Sequence, residues 1–300
     1  MSVHTATLWI LLAFGLLWIV ATMAHLEREL FEDGTGGEGE TFEDPVDIYD
    51  DFYAKVYDKL FSTPERISFE RASIRENALN EFSNPETKFL DVCCGTSPHA
   101  GWLCEEGYDV VGIDQSEAML KKARLACPGG RFYRGDVTNP SSFPPKSFSH
   151  AMLLYFSAYQ FRNPKIVFDN IYMWLKPGGL FIVHLVDPDK FDPILSAASP
   201  FPAFSLQKYA KSRVTESDVF FDQFKYRSKF IKDRADDNAI FEETFTFDEG
   251  KRYREHKHRL SMPVLPEMID LIRASGFTLR EQVDMTSVGY EYQYIVYFQK

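Results

Sequence analysis

Three acidic residues stand at the ends of three successive apolar runs, and a glycine turn follows the first. The stretch FLDVCCGTSPHAGWL, Phe89 to Leu103, reads as a strand that reaches Asp91 and then a tight turn holding Gly95. Open α/β sheets bind ligands at the carboxyl ends of their strands, so this turn is placed to form a binding loop. Gly95 has no Cβ and lets a ligand approach the backbone. Asp91 puts negative charge beside the loop, which suits a cationic ammonium and repels a pyrophosphate. In VVGIDQSEAML, Asp114 follows Asp91 by 23 residues, close to the roughly 20-residue spacing of nucleoside-binding acids in Rossmann units. One carboxylate has two oxygens, enough for two vicinal hydroxyls. RFYRGDVTN carries the third acid, Asp136. A single acid at a strand tip is usually a cap or a surface charge. Three in succession, with the turn after the first, are much harder to obtain by chance.

These segments resemble the class I, Rossmann-like S-adenosylmethionine-dependent methyltransferase family, and within it the small-molecule enzymes. The first motif of that family is a strand ending in an acid, D-x-G-x-G-x-G. Asp91, Cys93, Gly95 and Ser97 occupy its marked positions, with Cys93 and Ser97 replacing two glycines. The resemblance implies that Asp114 accepts from the ribose hydroxyls, with Gln115 and Met119 bordering the adenine. It implies that Asp136 accepts from the adenine amine and that Val137 touches the ring. LKPGG, Leu175 to Gly179, matches the turn before the fifth strand of the family. A-K-V-Y-D, Ala54 to Asp58, resembles an A-x-x-Y-D stretch whose tyrosine covers the cofactor. Tyr57 is that candidate and Tyr53 the second, because a ring face beside a sulfonium gives a cation–π contact; packing of an amphipathic helix explains the same rings. A nicotinamide-dependent oxidoreductase requires G-x-G-x-x-G, and C-C-G-T-S-P offers one glycine.

The acceptor side is read from strands four and five. Tyr155, Ser157 and Tyr159 follow the fourth strand, Tyr155 counted with the cofactor set, and His184 and Asp187 end the fifth. His184 and Tyr159 are the candidate bases, although a lone histidine is commonly structural. The run KRYREHKHR, Lys251 to Arg259, splits by period two, with Arg252, Arg254, His256 and His258 on one face. It reads either as a charged edge strand or as a face, through Arg254 and His256, that binds an anionic acceptor. Nucleic acid is the third reading, and the charge balance argues against it. Residues 26–51 carry eleven acids and one base, whereas Phe52 onward has 33 acids against 32 bases; a phosphate backbone requires a basic face. No metal-ligand spacing is visible.

The elements that must hold these residues alternate. Strand and helix patterns succeed one another from Lys88 to Val186, which implies a parallel sheet covered on both faces. The expected architecture is α/β, a Rossmann-like, seven-stranded, mostly parallel sheet with a late antiparallel strand. An antiparallel lid of three strands is expected over 219–260, and the domain spans 48–300. Aromatic content of 15% suggests ring-lined pockets. Ahead of the domain, Thr5 to Ala24 is uncharged, and twenty helical residues span about 30 Å, a bilayer core. The expectation is a transmembrane anchor over 1–25, tethering the protein through residues 5–24. Arg28 behind it favours a cytoplasmic catalytic domain. The acidic 26–47 stretch is expected to be a disordered linker. The four cysteines, which form no C-x-x-C pair, are expected to be free thiols. The overall expectation is methyl transfer from S-adenosyl-L-methionine to N or O of a small organic acceptor. Protein or lipid methylation and a non-catalytic cofactor-binding module are the alternatives. The sequence is silent on oligomeric state.

Overall fold

A computed structural model of the chain describes residues 39–79, 87–194, 213–233 and 237–300. Its larger sheet has seven strands: β2 (Lys88–Val92), β3 (Asp109–Asp114), β4 (Arg131–Arg134), β5 (Phe148–Leu153), β6 (Leu175–Val186), β11 (Thr278–Asp284) and β12 (Gln293–Gln299), in the order β11-β12-β6-β5-β2-β3-β4. The pairs β2·β3, β2·β5, β3·β4 and β5·β6 are parallel, and β12 runs antiparallel between β6 and β11. Every residue of β5 is buried, as a strand covered on both faces requires. One face packs under α6 (Pro164–Trp174) and α7 (Leu265–Ala274). The other packs under α3 (Pro64–Ile74), α4 (Ala100–Glu105) and α5 (Glu117–Ala126). A π turn, Arg75–Leu79, extends α3.

The second sheet departs from the expected three-stranded lid. It has four antiparallel strands, β7 (Glu216–Phe220), β8 (Lys225–Lys232), β9 (Asn238–Phe247) and β10 (Arg252–Ser261), with β1 (Glu40–Phe42) added parallel to β10. The disordered-linker expectation is therefore corrected from Gly39 onward. The physical reason is charge and ring complementarity. Glu43 pairs with Arg259 at 2.7 Å, and the Arg254 guanidinium lies 4.1 Å from the centre of the Phe42 ring. Asp44 caps the short helix α1 (Pro45–Ile48), and Asp50 caps α2 (Asp51–Phe61) by accepting from Tyr53 N at 2.9 Å.

The membrane expectation is corrected as well. No helix among the described residues is long and apolar enough to cross a membrane. The longer described helices have 11 residues, about 16 Å at 1.5 Å per residue against a core of about 30 Å. The transmembrane element of the expected fold and the single-pass, cytoplasm-facing location are withdrawn. Residues 5–24, from which they were drawn, lie outside the described residues. The thiol expectation changes too: Cys104 and Cys127 form a disulfide with Cα atoms 6.1 Å apart, while Cys93 and Cys94 are free. Cys127 belongs to the buried cluster under α4 and α5, and half-buried Cys104 packs against it.

Candidate functional site

A cavity of about 350 Å³ opens between the carboxyl ends of the parallel strands, α2 and the second sheet. Its floor is the turn after β2. Cys93, Gly95 and Ser97 all have φ of +52°, so the alternate positions of the turn share the left-handed backbone that glycine adopts most easily. Two side-chain residues thus hold a glycine-like path, at a cost of roughly 1–2 kcal/mol each. Gly95 lines the cavity, and a Cβ built on it meets no atom within 4 Å. The turn is fastened from outside. Asp58 of α2 accepts from Thr96 Oγ1 at 2.6 Å, Arg71 of α3 donates to Pro98 O at 3.0 Å, and Glu70 meets His99 Nε2 at 2.8 Å.

Asp114 stands at the end of β3, where Oδ2 accepts from Gly95 N and Oδ1 from Ser116 N, both at 2.9 Å. The carboxylate retains acceptor capacity beyond these bonds, and the side chain lines the cavity. Burial raises its carboxyl above the ordinary value, against three backbone hydrogen bonds that lower it. Asp136 is exposed; its Oδ1 accepts from Thr138 N and Oγ1 at 2.8 Å. At the other side of the cavity, Arg66 of α3 is buried between the rings of Tyr155 and Tyr290, with its guanidinium 4.1 and 4.8 Å from their centres. Its Nε pairs with Glu70 at 2.7 Å, while Nη2 is buried with no hydrogen-bond partner among the described residues. Burial would raise the Glu70 carboxyl, but Arg66 and His99 hold it down at about 2. The cavity therefore offers carboxylates at one side and an incompletely satisfied guanidinium at another. That is a donor and acceptor set for a molecule carrying hydroxyls, a cation and an anion together.

Residues 90–183 match the family described as Methyltransferase domain. Over this segment the chain is similar to methyltransferase domains. It is 29% identical over 133 residues to a trans-aconitate 2-methyltransferase of Acidovorax ebreus, covering 43% of this chain and 49% of the relative. It is 24% identical over 140 residues to a dTDP-3-amino-3,4,6-trideoxy-alpha-D-glucopyranose N,N-dimethyltransferase of Streptomyces venezuelae, covering 46% of this chain and 58% of the relative. The chain spans about half the length of the curated relatives it matches. The fold is shared with an S-adenosylmethionine-dependent methyltransferase from Clostridium acetobutylicum (TM-score 0.60, 17% identity, 82% of this chain and 97% of that one). It is shared also with the amino pentose methyltransferase CalS10 from Micromonospora echinaspora, solved with S-adenosylmethionine bound (TM-score 0.56, 17% identity, 83% of this chain and 95% of that one).

Of the residues expected to hold the cofactor in this methyltransferase domain, Tyr57, Cys93, Gly95, Asp114, Gln115, Met119, Asp136, Val137 and Tyr155 line the cavity, and so does Tyr53. Asp91 and Ser97 do not. They lie just behind the turn, where the Ser97 hydroxyl donates to Asp91 Oδ2 at 2.5 Å. Burial pushes the Asp91 carboxyl up to about 7, despite that hydrogen bond. On the acceptor side Ser157 lines the cavity, and four expectations are corrected. The Tyr159 hydroxyl is tied to the Val186 backbone, accepting from its N at 2.8 Å. His184 is fully buried behind the lining, bonded to Tyr155 O at 2.8 Å, and burial lowers its ring to about 4. Arg254 is consumed by Asp50 (2.8 Å) and His256 (2.6 Å), and His256 lies beneath it at 0% exposure. Neither reaches the cavity, because β1 and α2 cover that end of β10.

Sequence reading missed Arg66, Tyr49, Gln160 and His258, all of which line the cavity. Arg66 and Glu70, four apart on a helix, look like an exposed pair. His258 shares the face of Arg254 and His256, so the period-two split held its signal. One outcome follows for the turn. Gly95→Ala adds a methyl at φ +52° and is expected to cost about 1–2 kcal/mol of stability. It should weaken cofactor binding about tenfold by crowding the ligand. Thermal denaturation and calorimetric titration check both.

Proposed function

We propose that this cavity binds S-adenosylmethionine and transfers its methyl group to N or O of a small organic acceptor. The observation that carries the reading is the pairing of opposite charges around one cavity: Asp114 and Asp136 at strand tips, and Arg66 with a buried, unpartnered Nη2 across from them. The residues fit the cofactor. Asp114 has lone pairs for the ribose hydroxyls, Asp136 for the adenine amine, and Arg66 Nη2 a donor for the methionine carboxylate. Asp91, behind the turn, supplies charge opposite the ammonium. Tyr53 and Tyr57 set rings over the space between, where they favour a sulfonium.

The bound cofactor supplies an electrophilic methyl carbon. The protein contributes alignment and exclusion of water. The rings of Tyr49, Phe156, Phe161, Phe191, Phe230 and Phe241 wall the remaining space, which supports a small, largely apolar acceptor. The relatives named for trans-aconitate and for an amino sugar support a small organic acceptor, although both of those named molecules are polar.

The test uses Asp91. Burial pushes the Asp91 carboxyl up to about 7, and it must be ionised to attract an ammonium from behind the turn. Binding favours the deprotonated form, so affinity rises with pH, about tenfold per unit below 7, and levels off above it. Binding near neutral pH also releases a proton. Calorimetric titration of S-adenosylmethionine across acidic to alkaline buffers of differing ionisation enthalpy measures both. A flat profile removes Asp91 from the site, and no binding at any pH removes the functional reading.

A further inference from the structure

The second sheet contributes four side chains to the cavity wall among the described residues: Phe230, Phe241, Leu260 and His258. His258 is the titratable one. Its Nε2 lies 2.6 Å from Glu243 Oε2, and its Nδ1 makes no hydrogen bond among the described residues. Glu243 is buried and also accepts from Tyr53 OH at 2.6 Å and Tyr226 OH at 2.7 Å. His256 Nδ1 stands 3.3 Å from the same Oε2, and His256 Nε2 accepts from Arg254 Nε at 2.6 Å.

The proton positions follow from the partners. Arg254 can only donate, so His256 carries its hydrogen on Nδ1 and gives it to Glu243. Glu243 as a carboxylate can only accept, so His258 carries its hydrogen on Nε2, and Nδ1 holds the lone pair. Glu243, His256 and His258 have ligand atoms within 4.8 Å of one another, a grouping whose types could hold a metal ion. Here the His256 nitrogen facing Glu243 bears a proton, and a guanidinium sits against the other side of that ring. The cluster is built to hold a proton, not a cation.

We propose that His258, held by Glu243, is the proton acceptor for an apolar acceptor molecule that presents a hydroxyl group to the methyl donor. This rests on the methyl-transfer reading above. A hydroxyl is a weak nucleophile until its proton leaves, whereas the rest of this wall is hydrocarbon and ring. The proton goes from the hydroxyl to His258 Nδ1. The bond from oxygen to the methyl carbon forms as the carbon–sulfur bond breaks, with its electron pair staying on sulfur. The imidazolium so formed faces an anionic Glu243. Burial would raise that carboxyl, but the hydrogen bonds donated by His256 and His258 hold it well below the carboxylate range. The other titratable groups against His258 are Tyr49, Tyr53 and His256, with ring centres 5.9, 6.1 and 6.1 Å away. Burial keeps both tyrosines protonated, and Arg254 lies one residue beyond His256. The ring of His258 thus has one anion beside it, and its free nitrogen belongs to a cavity-lining side chain.

The experiment measures labelled methyl transfer from S-adenosylmethionine to two probes, 4-nitrophenol and 4-propylphenol, at a mildly alkaline pH where the first is ionised and the second is not. His258→Gln is expected to lower kcat on propylphenol about 100-fold more than on nitrophenolate, with cofactor affinity unchanged and added imidazole restoring part of the rate. Glu243→Gln should also lower kcat on propylphenol more than on nitrophenolate, since the imidazolium then forms with no anion beside it. Equal losses on both probes in His258→Gln, or none, overturn the role of His258. A wild-type chain that binds cofactor yet methylates neither phenol overturns the hydroxyl acceptor. A divalent ion that raises the wild-type melting temperature, but not that of His256→Ala, replaces the proton site with a metal centre. Failure to bind the cofactor falls instead on the methyl-transfer reading.

Discussion

Asp114→Asn is expected to weaken S-adenosylmethionine binding by about 100- to 1000-fold, the loss of roughly two charge-assisted hydrogen bonds at about 1.5–2 kcal/mol each. The effect is large because Asp114 serves two partners at once. It fixes the turn by accepting from Gly95 N and starts α5 by accepting from Ser116 N, and the side chain lines the cavity. An asparagine keeps one acceptor oxygen and must turn an amide toward either the turn or the ligand. The control is Asp109→Asn at the other end of β3, where the side chain pairs with Arg131 at the surface; that change should leave affinity alone. Calorimetric titration decides, and an Asp114→Asn protein that binds as the wild type does would remove the nucleoside assignment.

The second large effect belongs to Arg66. Arg66→Gln is expected to cost about 3–5 kcal/mol of stability, because it strands the buried Glu70 carboxylate without its cation, and to abolish measurable cofactor binding. The two consequences separate in a double variant. With Glu70→Gln added, no buried charge is left uncompensated and stability should return in large part, while binding should not, since the donor for the ligand carboxylate is still missing. Melting temperature and cofactor titration on the single and double variants provide the comparison. Recovery of binding along with stability would make Arg66 a purely structural residue.

Much of the cofactor side was legible because it is local. Each strand-tip acid lies within a few residues of its own strand and turn, and Gly95, Gln115, Met119 and Val137 are chain neighbours of those acids. The acceptor side was not legible, because it depends on how a second sheet is laid across the first. The period-two pattern of Lys251 to Arg259 put Arg254, His256 and His258 on one face, and the structure buries that face. It could not say that Phe42 and Phe52 would cover Arg254 and leave His258 to the cavity. His184 and Tyr159 fail for a related reason: their strand-end positions resemble those of site residues, but their polar atoms are spent on Tyr155 O and the Val186 backbone. The acidic stretch before the domain misled by composition. Its negative charge suggests solvation until the basic strand that pairs with it is seen.

The segment from Gly39 to Phe61 sets the smallest piece of this chain that is worth making. Ile48, Phe52, Tyr53, Val56 and Leu60 fill a hydrophobic cluster with Met119 from one sheet system and Phe224, Tyr226 and Phe245 from the other. A shortened chain starting at Thr63 would keep Asp91, Gly95, Asp114 and Asp136 and the whole of the 90–183 segment that matches the methyltransferase family. It would nevertheless bare two oily faces to water and leave Glu243 without the Tyr53 hydroxyl. Such a fragment should precipitate or self-associate, so expression boundaries drawn from the recognisable motifs alone would discard the part that joins the two halves.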